Sequence, residues 1–461
     1  MESYVAELPV RLAQAQMVPL GKSKARLRHI FFASKGLVPS DFLYLCSMKN
    51  QILIFILLVL VVLPLSAQRH EMLSDQVASL QVIANDDWTT LPIVTLGSDD
   101  VLLVGFDEMS HTYHRYCYKV EHCEADWTIS DGLLESDYVQ GFATGNTIDD
   151  LEESVNTNQL YIHYSLRLPN EKCRLKMSGN YKLTVYDENH DDVPVLVACF
   201  MVVEPKMSVD MEATTDTDLG ANRIYQQVNL RLDYGSIRVT DPTAQVKTVV
   251  MQNGRWDNAV INAKPQIVSA KGLAWSHCRD FIFPGGNEYR KFEMLDVTHT
   301  TMGLETVGWD GEQYHAFLWT DEPRLNYVYD EDADGSFFIR NSDNMEIDNT
   351  CEYMRVHFRL KSPRLPGDVF INGNWTQDRF LPQYQMQWND ETQQYEGDVW
   401  LKQGYYNYQY LTLQADGSPA LVPSEGNFYQ TENQYQALVY FRAPGDRTDR
   451  LVGYGSVKLK K

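Results

Sequence analysis

Apolar and polar residues alternate with period two along most of the chain after residue 68, the spacing of half-buried antiparallel strands. Met354, Val356, Phe358 and Leu360 alternate with Arg355, His357, Arg359 and Lys361. Near the C-terminal end, Tyr406, Tyr408 and Tyr410 share a face opposite Asn407 and Gln409. Tyr435, Ala437, Val439 and Phe441 share another, and Ile162, Tyr164, Leu166 and Leu168 oppose His163, Ser165 and Arg167. Both C-terminal strands are expected to be half-exposed, and their tyrosines suit either an interaction face or a core with wet hydroxyl ends.

Strands follow one another about every dozen residues with no helical periodicity between them, which argues for antiparallel sandwiches. Residues 101–106, 115–123, 160–168, 181–186 and 195–203 define a first module over 68–205. Residues 228–234, 245–252, 312–319 and 337–340 define a second over 206–350, entered through the break at Glu204-Pro205. Asn253-Gly254 and Asp310-Gly311 are hairpin signals within it. Residues 354–360, 369–371 and 396–401, with the two C-terminal strands, define a third over 351–461. The expected fold is all-β: tandem antiparallel β-sandwich modules of immunoglobulin or fibronectin type.

The N-terminal region reads differently. Met48-Lys49-Asn50, the apolar run 52–65 and Ser66-Ala67 form the three regions of a secretory signal, with cleavage expected before Gln68. The run is too short to span a bilayer comfortably, and no Cys follows the cleavage point to carry a lipid. Residues 1–47 are therefore expected to be an upstream extension absent from the mature protein. The alternative is a basic cytoplasmic tail before an uncleaved anchor.

Composition narrows the function classes. The chain of 461 residues has a formal net charge of −22, which disfavours nucleic acid and anionic lipid as partners. Six Cys follow the signal: Cys117, Cys123, Cys173, Cys199, Cys278 and Cys351. An exported chain permits disulfides, but these lie in apolar strand patterns, as buried small hydrophobes do. Cys117 and Cys123 share one strand and are too far apart to pair with each other.

Chemistry-bearing motifs are sparse. Asp330, Asp332, Asp334 and Gly335 spell the front of a calcium loop, but the twelfth position is Asn341 rather than Glu. The better reading is a solvated acidic turn, with no metal needed for folding. Asn372-Gly373-Asn374-Trp375 resembles the sugar-stacking turn of starch-binding modules, although a structural Trp explains it more simply. His122-Cys123 point to opposite faces of a strand, and neither a zinc spacing nor a nucleophile elbow occurs. No catalytic residue, cofactor or small-molecule substrate is expected.

Several segments carry a family resemblance. EHCEADW (121–127), YVQGF (138–142), NTNQLYIHYSLRLPN (156–170), GNEYRKFE (286–293) and DGSFFIRN (334–341) lie upstream. GYYNYQY (404–410), EGNFYQTENQY (425–435) and DRLVGYG (449–455) lie at the C-terminal end. Together they resemble the type IX secretion system plug proteins. The resemblance marks His122, Cys123, Asp126, Trp127, Gly404, Tyr405, Tyr406, Tyr408, Arg450 and Gly453 as signature residues. It implies a non-enzymatic periplasmic protein that binds a large outer-membrane secretion barrel and closes its pore while no cargo is engaged. A carbohydrate-binding or carbohydrate-processing envelope protein is the alternative.

Overall fold

The structure, a computed structural model, describes residues 70–190, 192–415 and 417–459. The expected extension and signal segment, 1–47 and 48–67, lie outside the described residues.

The first module is a sandwich of two sheets. One runs in the order Glu71–Met72, Val193–Val203, Gly179–Asp187, Tyr116–Cys123 and Asn146–Thr147. The other runs Val77–Ala84, Leu102–Glu108, Ile162–Leu168 and Asp150–Glu153. Alternation places Ile162, Tyr164, Leu166 and Leu168 in the core between them, while His163, Ser165 and Arg167 are less buried. Val193–Val203 obeys a different rule, because both of its faces are covered. Leu196, Ala198, Phe200 and Val202 enter this core, and Cys199, Met201 and Val203 enter a second cluster shared with later strands. Burial on both faces is why that strand reads as a nearly unbroken apolar run.

The sheets cross the expected division at residue 350. Val246–Gln252 pairs antiparallel with Gln434–Phe441, which pairs with Arg450–Lys458. Tyr435, Ala437, Val439 and Phe441 thereby pack on Val228, Leu230, Leu232 and Trp275 of the facing sheet. Gln434–Phe441 and Arg450–Lys458 thus complete the second module, while Gly404–Leu413 stays in the third. Conversely, Arg290–Met294, Leu304–Trp309, Tyr314–Leu318 and Phe337–Ile339 join one sheet with Tyr353–Leu360, Gln394–Lys402 and Gly404–Leu413. Its two ends approach each other, with Glu293 N donating to Met302 O at 2.9 Å, so the sheet wraps around its own core. Two uninterrupted modules are therefore replaced by one module inserted into another. Asp310-Gly311 does turn a hairpin. Asn253-Gly254, both at positive φ, likewise opens a hairpin, but a longer one. Its loop passes through the 3-10 turn Trp256–Asn258 before Val260–Ile261 returns antiparallel to Val246–Gln252.

Gly404–Leu413 also departs from the expected half-exposed strand. Tyr406, Tyr408 and Tyr410 form the interior of the third module, and Asn407 and Gln409 on the opposite face are buried too. Gln409 Nε2 donates to Tyr289 Oη and Asn372 Oδ1, both at 3.0 Å, while Asn407 Oδ1 accepts from Ala333 N at 2.6 Å. Amides fully paired in this way tolerate burial. All six cysteines after residue 70 are free and buried.

Candidate functional site

The signature segments EHCEADW and DRLVGYG, more than 300 residues apart in sequence, meet at the seam between the first and second modules. Ala125 N donates to Asp449 Oδ2 at 3.1 Å, and Asp449 N donates to Glu124 Oε2 at 2.9 Å. Arg442 bridges the two carboxylates, contacting Asp449 Oδ1 at 3.0 Å and Glu124 Oε2. Lys247 Nζ lies 2.8 Å from Asp449 Oδ2. Burial pushes the Asp449 carboxyl up, but Lys247, the Ala125 amide and Arg442 outweigh it and hold it below the usual carboxylate range.

Neighbouring signature residues extend the seam. His122 Nδ1 lies 2.9 Å from Ser130 Oγ, which in turn lies 2.9 Å from Thr448 Oγ1. Burial depresses the His122 imidazole below the usual histidine range. Arg450 Nε donates to Ser178 Oγ at 3.0 Å. Asp126 Oδ1 accepts from Thr128 N at 3.1 Å and closes a turn that carries Trp127 at φ 66°. That turn presses the Trp127 indole edge-on against Trp256 of the second module, centroids 5.6 Å apart. Cys123 is buried behind them. Gly453 passes where a Cβ would come within 2.8 Å of Val209 Cγ2.

A second seam joins the first and third modules. Asp107 accepts from Lys402 Nζ at 2.7 Å and from Tyr353 Oη at 2.6 Å, and His163 Nδ1 lies 2.7 Å from its other oxygen. Lys402 Nζ sits 4.2 Å from the centroid of the Tyr161 ring, whose hydroxyl donates to Cys351 O at 2.8 Å. Burial raises the Asp107 carboxyl, yet Lys402 and His163 hold it net below its ordinary value. Just beyond Lys402, Gly404 lies so close to the adjacent strand that a Cβ would meet Phe338 O at 2.4 Å. Tyr405 packs edge-on against Trp88 of the first module, centroids 6.0 Å apart. Tyr406 donates to Lys402 O at 2.6 Å, and Tyr408 and Tyr410 both donate to Asp321 Oδ2. Where the three modules meet lies a cavity of about 110 Å³ lined by Leu80, Leu91, Asn253, Asp334, Asn374 and Gln436.

The acidic motif is not the solvated turn expected of it. Asp330 is exposed and pairs with Lys291 Nζ at 2.6 Å, whereas Asp332 and Asp334 are largely covered. Asp332 accepts from the Tyr289 amide and from Asp334 N, and Asp334 pairs with Lys458 Nζ at 3.2 Å. Burial, with the adjacent Asp334 charge, pushes Asp332 up to about 7. Burial, opposed by Lys458, pushes Asp334 up to about 6. The turn is covered because the C-terminal strand, far away in sequence, packs over it. Lysines and backbone amides engage these carboxylates separately, so the three do not converge on a common point. Trp375 is buried, and its Nε1 donates to Asn407 O at 2.8 Å, so its ring offers no sugar platform.

The fold and its seams thus define an assembly of β modules built as one body, in which the signature side chains hold the modules to each other. Residues 77–204 match the family described as the type 9 secretion system plug protein 1st domain, and the chain belongs to the type IX secretion system plug family. Among solved structures, a hypothetical protein from Parabacteroides merdae ATCC 43184 is 38% identical, with a TM-score of 0.82. That similarity covers 85% of this chain and 99% of that one. No curated protein matches the chain. Among the described residues, no helix is long and apolar enough to cross a membrane.

Proposed function

We propose that this protein is a non-enzymatic plug of the type IX secretion system. It docks as a pre-folded body on the periplasmic side of the outer-membrane secretion barrel and closes the pore when no cargo is engaged. The observation that carries the reading is the locking of three modules through seams built around buried carboxylates such as Asp449 and Asp107. Domains joined by small polar contacts move relative to one another. Here ion pairs join every module to the others, and ring contacts Trp127–Trp256 and Trp88–Tyr405 add to the first module's two seams, as a stopper in a wide pore requires. The signal at 48–67 would deliver the chain to the periplasm, and N-terminal sequencing of the native protein should then begin at or near Gln68.

The alternating tyrosines are interior, so the docking surface lies elsewhere. After Tyr314–Leu318 the chain exposes Trp319, Leu325 and Val328. Arg324 pins this loop by donating to Glu288 O at 2.6 Å and pairing with Glu425. Large apolar side chains held outward on an anchored loop are suited to act as docking anchors. With a net charge of −22, the surrounding rim favours a less acidic partner and weakens with salt.

A photocrosslinking side chain placed at Leu325 or Val328 in intact cells should give an adduct with the barrel, identified by mass spectrometry. Deleting the protein should make the outer membrane leakier. Adducts only with polysaccharide or small soluble proteins, together with unchanged permeability, would overturn the reading.

A further inference from the structure

We propose that His114, Asp187 and His190 form a binding site for a late first-row divalent cation, with Zn²⁺ as the best-suited ion. The site lies at one end of the first module, where the connection between Leu102–Glu108 and Tyr116–Cys123 faces the turn after Gly179–Asp187. Asp187 Oδ2 lies 3.0 Å from His114 Nδ1 and 2.5 Å from His190 Nδ1, and all three ligand atoms fall within 4.8 Å of one another. Two imidazole nitrogens gathered about one carboxylate oxygen supply the donor types of a three-ligand zinc site. A zinc–ligand bond of about 2 Å needs only a small opening between Asp187 and His190. His190 can supply it, because its side chain is 67% exposed.

The surroundings prepare these ligands. Asn189 N donates to Asp187 Oδ1 at 2.9 Å and leaves Oδ2 to the two rings. His190 N donates to Asp187 O at 3.2 Å, fixing the turn that carries both residues. The His114 backbone is held at both ends by Tyr164 Oη, which donates to His114 O at 2.9 Å and accepts from His114 N at 3.3 Å. His114 Nε2 faces Glu108 Oε1 at 4.0 Å, and Tyr116 Oη donates to Glu108 Oε2 at 2.6 Å. That carboxylate is too far for a hydrogen bond to His114, whose ring is instead steadied by stacking on Tyr116, centroids 5.8 Å apart. With three protein ligands, the fourth position is open to water or to a side chain of a docked protein. Loading the site would tie the exposed turn to the buried end of the sandwich.

Untagged protein, stripped with chelator and dialysed, should bind one equivalent of Zn²⁺ in calorimetry. His190→Ala should weaken that binding by about 100-fold or more, since it removes one of three ligands. Its side chain is exposed, so this variant should fold, and circular dichroism should match the wild type. Co²⁺ in place of Zn²⁺ should show d–d bands without a thiolate charge-transfer band, which separates this site from the buried cysteines. The proposal is wrong if Zn²⁺ binding is not saturable at one equivalent, if His190→Ala leaves it unchanged, or if the Co²⁺ spectrum reports sulfur ligation.

Discussion

At the scale of single residues, burial decides the behaviour of groups whose types suggest surface roles. Asp334 belongs to an acidic motif, yet its carboxyl is pushed up to about 6. Between pH 3.8 and about 6 the folded carboxyl keeps a proton that the unfolded chain has released, so its contribution to stability falls as pH rises through that window. Asp332, raised by burial and by the Asp334 charge, acts in the same direction and is relieved in part when that charge is removed. Half-buried His70 and buried His122, both lowered, act in the opposite direction over an overlapping range. The clean measurement is therefore a difference between wild type and Asp334→Asn in chemical denaturation. From pH 4 to 7 the variant should gain on the wild type by on the order of 2–3 kcal/mol. A flat difference would mean that the carboxylate is solvated. Asp107 and Asp449, held below the usual range, contribute stability above their unfolded values that is lost only under more acidic conditions.

At the scale of elements, close approach explains two signature glycines, of a backbone at Gly404 and chiefly of a side chain at Gly453, where the nearest backbone atom is Met207 O at 3.2 Å. A Cβ on Gly404 would meet the Phe338 carbonyl oxygen at 2.4 Å, and one on Gly453 would meet the Val209 Cγ2 methyl at 2.8 Å. A side-chain methyl can rotate away, whereas a paired strand backbone cannot shift without breaking its ladder. Gly404→Ala should therefore cost roughly 1–3 kcal/mol, and Gly453→Ala distinctly less, in paired thermal or urea melts. Equal costs would show that the strand Phe337–Ile339 yields as easily as the valine. Tyr406, Tyr408 and Tyr410 belong to the same strand, and of the two readings their alternation allowed, an interaction face or a core, they form the core, as the inner wall of the third module.

At the scale of the molecule, the seams make the modules interdependent. Glu124 and Arg442 come from different modules and meet only in the folded chain. A double-mutant cycle with Glu124→Ala and Arg442→Ala should give a coupling of about 0.5–3 kcal/mol. Unfolding should remain one transition when followed by both tryptophan fluorescence and far-ultraviolet dichroism. Zero coupling with two separate transitions would remove the one-body basis of the plug reading.

The sequence by itself determined the class of element almost everywhere. Which side of a strand is buried is written in that strand's own alternation, as in Ile162–Leu168 and Tyr353–Leu360. The irregular placing of the cysteines within apolar runs likewise marked them as packing residues, and Trp375 was legible as part of a core. Motif order sufficed for the family, because eight short segments in one sequence constrain each other more than any one of them constrains itself. Pairing was not legible. Val246–Gln252 could have met any strand of similar length, and only the folded chain brought Gln434–Phe441 beside it. For the same reason, the division expected at residue 350 separates strands that share a sheet. The DxxH spacing of Asp187 and His190 was a local trace of the cation site, but His114 is 73 positions from Asp187. The covering of Asp332 and Asp334 likewise depended on Lys458 and the strand that carries it. Alternation records the environment of one strand, whereas partners, seams and converging ligands depend on which distant surfaces exclude water together.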